Sequence, residues 1–396
     1  MPIAPRLFQS FQMRGVVSRN RVVISPMCQY SAHDGHLEDW HLVNLGRFAI
    51  GGAGIVFTEA TAVQKQGRIT HGCPGLWDDS QIVGQGRIAQ FLLRHGAIPA
   101  IQLGHAGRKA SMQRPWFGNG PLNSADVARG DMPWTPIAPS ALTVAEGWPV
   151  PQEMTFDDIQ TLIADYVAAT RRALAAGYKL IEIHGAHGYL VHSFLSPLSN
   201  RRRDEYGGDL QGRMRLPLEI ARAVRAALPD DIPLAFRTSA VDGMPEGWQL
   251  DDTVALSRAL KDAGVDIIDC SSGGIAGGAT SARGVKRRPG FQVPYAEQVR
   301  HEAGVPTIAV GLITHPEQAE AILANGQADL VAIAREALVD PMWALRAAQS
   351  LGHDMDFASW PQQSGWWLAA RAQNSEFYVP DDPHVSAGRN LPKTAG

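Results

Sequence analysis

The sequence predicts an α/β fold, a (β/α)8 TIM barrel with a long lid-like insertion after strand three, and two observations support this prediction. Short apolar runs rich in β-branched residues recur eight times, and most are followed by a segment with apolar residues at helical spacing. Gly177, Gly264 and Gly326 stand where three of these helices should end, as expected for left-handed C-caps. Such alternation is typical of a closed parallel sheet surrounded by helices.

The candidate strands lie at residues 21–25, 54–58, 98–102, 180–184, 234–237, 267–270, 307–310 and 330–333. The clearest helices lie at 157–176, with Thr155 as N-cap, and at 212–227, 250–263, 295–303 and 316–324. We expect residues 1–374 to form one domain and residues 375–396 to form a loose tail. A doubly wound open sheet is the alternative. It predicts a Gly-x-Gly-x-x-Gly motif after an early strand, and the first two strands are followed by none.

Residues 107–151 interrupt the alternation, because they are rich in Pro, Gly, Trp and Asn and have little periodicity. A loop of this length inside a compact domain is usually functional. It follows the third strand, so in a barrel it would lie over the carboxyl ends of the strands, as a partial lid. Trp116, Phe117, Trp134 and Trp148 would anchor it.

Composition excludes several classes of protein. The formal net charge is −3 and 19% of residues are charged, so nothing indicates a nucleic-acid or membrane partner. No apolar run reaches the ~18 residues of a membrane span, and the first residues lack the apolar stretch of a signal peptide, so we expect a cytoplasmic protein. The three cysteines do not form a disulfide framework or a Cys-x-x-Cys metal site.

The sequence Glu-Ile-His-Gly-Ala-His-Gly-Tyr-Leu at 182–190 is the most informative stretch. His184 and His187 could donate N–H groups to an oxygen that gains negative charge, and Tyr189 could deliver a proton. The alternative is a metal-dependent barrel aldolase or hydrolase that uses the two histidines and Glu182 as ligands. Glu182 weakens that alternative, since it lies within the strand, before the loop that carries His187.

Other polar groups at the strand ends indicate a bound cofactor. Glycines after strands six and seven, with Arg335 after strand eight, match the phosphate site of a barrel. Gln102 offers a paired donor and acceptor to a heterocycle, and Arg237 is a cation that could stabilise a reduced, anionic ring. A phosphate together with an electron-accepting heterocycle suggests FMN.

These residues resemble the Old Yellow Enzyme family of flavin-dependent ene-reductases, over residues 20–371. The shared motifs are Ser-Pro-Met-Cys-Gln-Tyr at 25–30, Glu-Ala-Thr-Ala-Val at 59–63, Gln-Leu-Gly-His-Ala-Gly-Arg-Lys at 102–109, His-Gly-Ala-His-Gly-Tyr-Leu at 184–190 and Asn-Arg-Arg-Arg-Asp-Glu-Tyr-Gly-Gly at 200–208. Cys28, Tyr30 and the histidine pair resemble the thermophilic-like branch. The segment 365–371 is similar to that of the xenobiotic reductases.

The resemblance implies that reduced nicotinamide, NADPH or NADH, passes hydride through FMN to the activated C=C of an unsaturated carbonyl or nitro compound. Histidines 184 and 187 would hold the substrate oxygen, Tyr189 would donate the proton, and Tyr30 and Trp367 would contact the substrate. The implied FMN-binding residues are Ser25, Pro26, Met27, Cys28, Ala60, Gln102, Arg237, Gly311, Ala334 and Arg335. Cys28 would also tune the flavin potential. Family members commonly form dimers or tetramers, and the resemblance leaves open whether Arg371 reaches a neighbouring active site.

Overall fold

Eight parallel strands close into a barrel in the computed structural model, which describes residues 4–277 and 285–373. The strands, β1 to β8 in chain order, are Val22–Ile24, Ile55–Ala62, Ile98–Gly104, Leu180–Gly185, Leu234–Ser239, Ile267–Ser271, Thr307–Ala309 and Leu330–Ile333. Each strand pairs with the next, and β8 pairs with β1 through Ala332 and Val23, which closes the sheet. The predicted barrel is therefore confirmed.

Helices surround this sheet. The longer ones, α1 to α8, are Asp39–Ile50, Ile82–Arg94, Phe156–Ala176, Leu210–Ala227, Leu250–Asp262, Val293–Ala303, Pro316–Ala324 and Trp343–Ser350. Further helices are Ser124–Ala128, Leu190–Leu195, Arg335–Val339 and the terminal helix Gln362–Gln373, and short 3-10 turns are Arg6–Phe8, Lys65–Gly67, Asp79–Gln81, Gly107–Lys109 and Pro115–Phe117. None of the helices in the described ranges is long and apolar enough to cross a membrane.

The helix ends follow the predicted signals. Thr155 caps α3 through a reciprocal pair of hydrogen bonds, in which its hydroxyl accepts from the Asp158 backbone N–H and its own N–H donates to the Asp158 carboxylate. Gly177 ends the same helix with φ of 94°. Gly264 and Gly326 follow α5 and α7 with φ of 92° and 71°. These are the left-handed positions that glycine adopts without a Cβ penalty.

Alternation along the strands divides the buried residues into two layers. On β4, Ile181 and Ile183 face the helices, whereas Leu180 packs inside the barrel. The interior apolar cluster also contains Met13, from a hairpin formed by Phe11–Met13 and Val16–Ser18. Several inward positions further along the strands are polar, such as Glu182, His184 and Arg237. The amino-terminal half of the barrel interior is filled with apolar side chains, so the polar side chains of the interior are concentrated toward the carboxyl ends of the strands.

Five strands, β2 to β6, run further than their predicted ends, and in β2 a register change accompanies the extension. Strand β2 continues to Ala62, and its pairing with β3 shifts between Thr58 and Thr61. Two residues of β2, Glu59 and Ala60, therefore oppose one residue of β3, which is the definition of a β-bulge. A bulge depends on the pairing of two distant strands, so the local residue pattern did not reveal it.

The insertion at 107–151 is largely irregular. Its segment Ile137–Ala138 pairs in parallel with Gln152–Glu153. Trp134 and Trp148 pack against a small apolar cluster that includes Tyr30 and Tyr189, so two of the predicted anchors bury part of their surface there. Trp116 and Phe117 are more exposed. The action of the insertion as a lid and the single-domain organisation stay predictions, and the tail at 375–396 lies outside the described residues.

Candidate active site

The turn after β4 brings together the three side chains that the sequence singled out. His184 is the penultimate residue of β4, and His187 and Gly188 follow with φ of 62° and 73°. The ring of His184 lies 5.2 Å from that of His187 and 5.1 Å from that of Tyr189, between centroids. Both contacts are edge-on. Two imidazoles and a phenol thus form one cluster at the carboxyl end of the barrel.

Neighbouring strands hold this turn in place. The backbone N–H of His187 donates to Ser239 Oγ at 2.9 Å, and Nε2 of His187 lies 2.7 Å from Ser271 Oγ. These serines end β5 and β6. Lys109, which is fully buried, donates to the carbonyl oxygen of His187 at 2.9 Å. The position of His187 is therefore fixed from three directions.

His192 is a further buried histidine, and it supports the turn that carries His187 and Gly188. The N–H of Gly188 donates to Nδ1 of His192 at 2.8 Å, and Nε2 of His192 lies 3.0 Å from the Asp242 carboxylate. That carboxylate also accepts from the Ser196 hydroxyl and the Trp248 backbone N–H. The Asp242 pKa lies below its usual range because these donors and His192 outweigh the cost of burial.

Burial sets the protonation states of the cluster. Desolvation and the nearby Arg237 cation hold the pKa of both His184 and His187 well below the ordinary value, so both rings are neutral near pH 7. Burial raises the pKa of Tyr189, so its phenol keeps its proton. Within the described residues, Nδ1 of His184 has no hydrogen-bond partner. The cluster therefore combines neutral N–H donors with a protonated acid.

A polar layer lies one inward position deeper in the barrel. Gln102 donates its side-chain N–H to Glu182 at 2.8 Å, and Nε of Arg237 lies 3.3 Å from the Asp269 carboxylate. Burial raises the pKa of both Glu182 and Asp269, and the Arg237 cation partly offsets this. The structure therefore gives Arg237 a buried counter-charge.

The loop after β1 supplies Cys28 and Tyr30. Cys28 is half-buried, and burial together with the neighbouring Glu59 raises its pKa, so it is a thiol rather than a thiolate. Tyr30 adopts φ of 51° and its ring meets that of Trp116 edge-on at 6.1 Å. Both residues border the apolar cluster that contains Tyr189.

The predicted cofactor residues lie at or just after the carboxyl ends of six strands. Ser25, Pro26 and Met27 follow β1, and Gly311 follows β7, where its φ is 117°. Ala60 lies in the bulge of β2. Gln102 and Arg237 are inward on β3 and β5. Ala334 follows β8 directly, and Arg335 is the first residue of the helix Arg335–Val339.

Trp367 is placed differently. It lies on the terminal helix with 69% of its surface exposed, and its ring contacts that of Trp366 at 4.6 Å between centroids. The described contacts of the single chain do not join it to the histidine cluster. Its role in the substrate pocket stays a prediction.

The residues present fit a flavin nucleotide. Buried polar atoms at the barrel mouth, namely Ser25 Oγ and His184 Nδ1, lack hydrogen-bond partners in the described ranges. Buried polar groups are normally hydrogen-bonded, so open donors and acceptors at one end of the barrel indicate a bound polar group. Gln102 and Arg237 lie on the same side of the sheet as His184, where a planar heterocycle would meet an amide, a cation and two imidazoles.

Some functional contacts were not predicted. Ser239 and Ser271 hold His187, and Gln292 donates to Ser271 Oγ at 3.2 Å, yet nothing in their local sequence marks them. Asp269 had a local signal, because it is a lone carboxylate between Ile268 and Cys270 in an apolar strand. Lys109 was part of a recognised motif, but its contact with His187 could not be read from the sequence.

The described residues do not provide a ligand set for the alternative of a metal-dependent aldolase or hydrolase. Among the described residues, no three His, Cys, Asp or Glu side chains converge so that they could share a metal ion. Glu182 accepts from Gln102 in the layer below the histidines.

Comparison with known proteins identifies the family of this chain. A model described as the NADH:flavin oxidoreductase / NADH oxidase family matches residues 6–354. An NADPH dehydrogenase of Geobacillus sp. is 44% identical over 362 residues, covering 91% of this chain and 98% of that protein. An NADPH dehydrogenase of Listeria innocua is 41% identical over 353 residues, covering 89% and 96%. The structure of morphinone reductase matches with a TM-score of 0.71 and 25% identity, covering 88% of this chain and 90% of that one.

These matches confirm the predicted class of enzyme, an NAD(P)H-dependent flavin oxidoreductase with FMN as its cofactor. They extend over nearly the whole barrel, as the motifs indicated. The chain belongs to the NADH:flavin oxidoreductase / NADH oxidase family, the family of the Old Yellow Enzymes.

Proposed function

We propose that this protein is an ene-reductase, which uses NADPH or NADH and FMN to reduce the activated C=C of α,β-unsaturated carbonyl or nitro compounds. One observation carries the proposal: two neutral imidazoles, that of His184 buried and that of His187 half-buried, lie beside a protonated phenol at the carboxyl end of the barrel. That combination suits a reaction in which an oxygen gains charge while a carbon takes up a proton.

The cofactor would be held by the residues at the strand ends. When bound, FMN would supply the chemistry of hydride transfer between the nicotinamide and the substrate β-carbon. The residues that would hold it are Ser25, Pro26, Met27, Cys28, Ala60, Gln102, Arg237, Gly311, Ala334 and Arg335. Among them, Gln102 would bind the edge of the heterocycle. Arg237 would stabilise negative charge on the reduced ring, and its attachment to Asp269 fixes the direction from which it acts.

The histidines bind the substrate oxygen. His184 offers the nitrogen that has no partner within the described residues, and His187 is oriented by Ser271. Because both rings are neutral, they stabilise a developing oxyanion by hydrogen bonding without giving up a proton. They also polarise the C=C bond, so the β-carbon becomes the better hydride acceptor.

Tyr189 delivers the proton to the α-carbon. Its phenol is buried and 7% exposed, which keeps bulk water away from the carbanionic centre. Tyr30 and Trp367 would contact the substrate, and Cys28, as a thiol, would act on the flavin potential rather than as a nucleophile.

The direct test is turnover by the FMN-loaded enzyme. We expect NADPH or NADH oxidation under anaerobic conditions to depend on added 2-cyclohexenone, N-methylmaleimide or a nitroalkene. Nicotinamide deuterated at its transferable position should place deuterium on the β-carbon of the product. A protein that oxidises nicotinamide only with oxygen, and returns every alkene unchanged, would contradict the proposal.

The protein would act as a cytoplasmic homo-oligomer, a dimer or a tetramer. The exposure of Trp366 and Trp367 on the terminal helix, at 63% and 69%, supports self-association, and Arg371 on the same helix is the candidate for a contact with a neighbouring site. Light scattering after size-exclusion chromatography would measure the assembly, and a monomeric mass at all concentrations would count against it.

A further inference from the structure

Glu59 is a buried carboxylate that the mechanism above does not use. It is 3% exposed and lies in the bulge of β2, where it and Ala60 face Gln102 of β3. A bulge redirects a side chain from the alternation of its strand and is common beside active sites. Here the carboxylate reaches the loop after β1.

Its two oxygens have different partners. Oε2 accepts the backbone N–H of Gln29 at 2.8 Å. Oε1 lies 3.5 Å from Nε2 of His41 on α1. Nδ1 of His41 accepts from the Glu38 N–H, so we assign the proton of the neutral ring to Nε2, which faces Glu59.

The loop after β1, which carries Gln29 and Tyr30, needs a buried hydrogen-bond acceptor such as Glu59. Tyr30 has φ of 51°, a region that residues with a Cβ seldom adopt, and its conformation must be held by its surroundings. Burial raises the pKa of Glu59 to about 8, while the N–H of Gln29 opposes that rise. The hydrogen bond from Gln29 does not require the charged form, because a carboxyl group keeps an acceptor oxygen in either protonation state.

We propose that Glu59 is a positioning residue: its carboxyl group holds the backbone of Gln29, between Cys28 and Tyr30, in the conformation that presents these two side chains to the active site. This inference rests on the proposed function only for the roles of those two side chains. The attachment itself is a property of the protein with or without its cofactor. Glu59 contacts no reacting atom, and it acts through the loop.

The first test follows Cys28 in the cofactor-free protein. Glu59→Gln keeps the size of the side chain but turns an amide NH2 toward groups that are themselves donors. We expect iodoacetamide to alkylate Cys28 roughly tenfold faster in this variant, as expected if one hydrogen bond to a buried acceptor is lost. Cys73 and Cys270 are buried and serve as internal references in the same mass spectrum. An unchanged Cys28 rate in a folded Glu59→Gln protein would overturn the proposal.

Asp329→Asn is the matched control. Asp329 also accepts a backbone N–H, that of Thr307 at 3.0 Å, but it precedes β8 at the amino-terminal end of the barrel. This variant should lower stability without changing the Cys28 rate. If Asp329→Asn accelerates Cys28 as much as Glu59→Gln at matched stability, the effect is general loosening and the proposal fails.

A second measurement needs no variant. The amide of Gln29 should exchange with deuterium at least about tenfold more slowly than the amides of an exposed loop, as hydrogen bonding to a buried acceptor requires. Exchange at the rate of an open loop would contradict the attachment.

In the FMN-loaded enzyme, Glu59→Gln should raise KM for the enone more than it lowers kcat. If the wild-type enzyme reduces no alkene, the proposed function fails, while the alkylation and exchange results still decide the role of Glu59.

Discussion

Replacement of His184 by alanine tests the imidazole pair most sharply. His184 is 4% exposed and neutral, and its Nδ1 has no partner within the described residues, so it can act as an oxyanion donor in a dry site. Loss of one such donor typically costs ~2.7–4 kcal/mol of barrier, which corresponds to a rate loss of about 100- to 1000-fold. We expect that loss in the step that reduces the alkene.

The assay separates the two half-reactions by anaerobic stopped-flow absorbance. The enzyme is first reduced by NADPH and is then mixed with 2-cyclohexenone. His184→Ala should slow flavin reoxidation by the enone and weaken the binding of a phenol such as 4-hydroxybenzaldehyde. His184→Asn keeps an amide N–H donor and should recover part of both losses.

The comparison of His184→Ala with His184→Asn also distinguishes the loss of a hydrogen-bond donor from a general packing defect. The alanine variant leaves a cavity, so a general packing defect would affect both substitutions and would lower stability in proportion. If phenol affinity and the reoxidation rate of His184→Ala equal those of the wild type, His184 is not an oxyanion donor and the reasoning is wrong.

Three further predictions address the surrounding groups. Tyr189→Phe should slow alkene reduction and leave flavin reduction by NADPH nearly normal, because only the proton donor is removed; stopped-flow traces with the opposite pattern would refute its role. Ser271→Ala should weaken phenol binding less than His184→Ala does, since it frees His187 without removing it, and an unchanged affinity would show that the contact at 2.7 Å is not needed. Glu182 has a folded-state pKa above its unfolded value, so its contribution to stability is present at acid pH and is lost as pH rises from about 5 to about 8. In urea denaturation of the cofactor-free protein, Glu182→Gln should reduce that loss, and parallel pH curves for both proteins would contradict the assignment.

The sequence predicted the parts of the fold that are set by local physics. Thr155 and Gly177 marked the ends of α3 because caps act within a few residues of a helix end. The apolar run at 180–184 predicted the strand that carries His184, which the structure places at Leu180–Gly185, because short β-branched runs are a local signal.

The contacts that complete the candidate site depend on distant pairings. Ser239 and Ser271 reach His187 only because β4, β5 and β6 are neighbours with a particular register. Glu59 reaches Gln29 because of a bulge between β2 and β3. Neither contact can be predicted from a short stretch of local sequence. The exposed position of Trp367 likewise depends on the packing of the terminal helix.

The most direct test of the account is an anaerobic titration of the FMN-loaded protein followed by visible absorbance. The account predicts that NADPH or NADH bleaches the flavin bands, that 2-cyclohexenone restores them with formation of cyclohexanone, and that 4-hydroxybenzaldehyde perturbs the oxidised spectrum in the wild type but much less in His184→Ala. A protein that retains no FMN after reconstitution, or a bleached flavin that no enone or nitroalkene reoxidises, would contradict it.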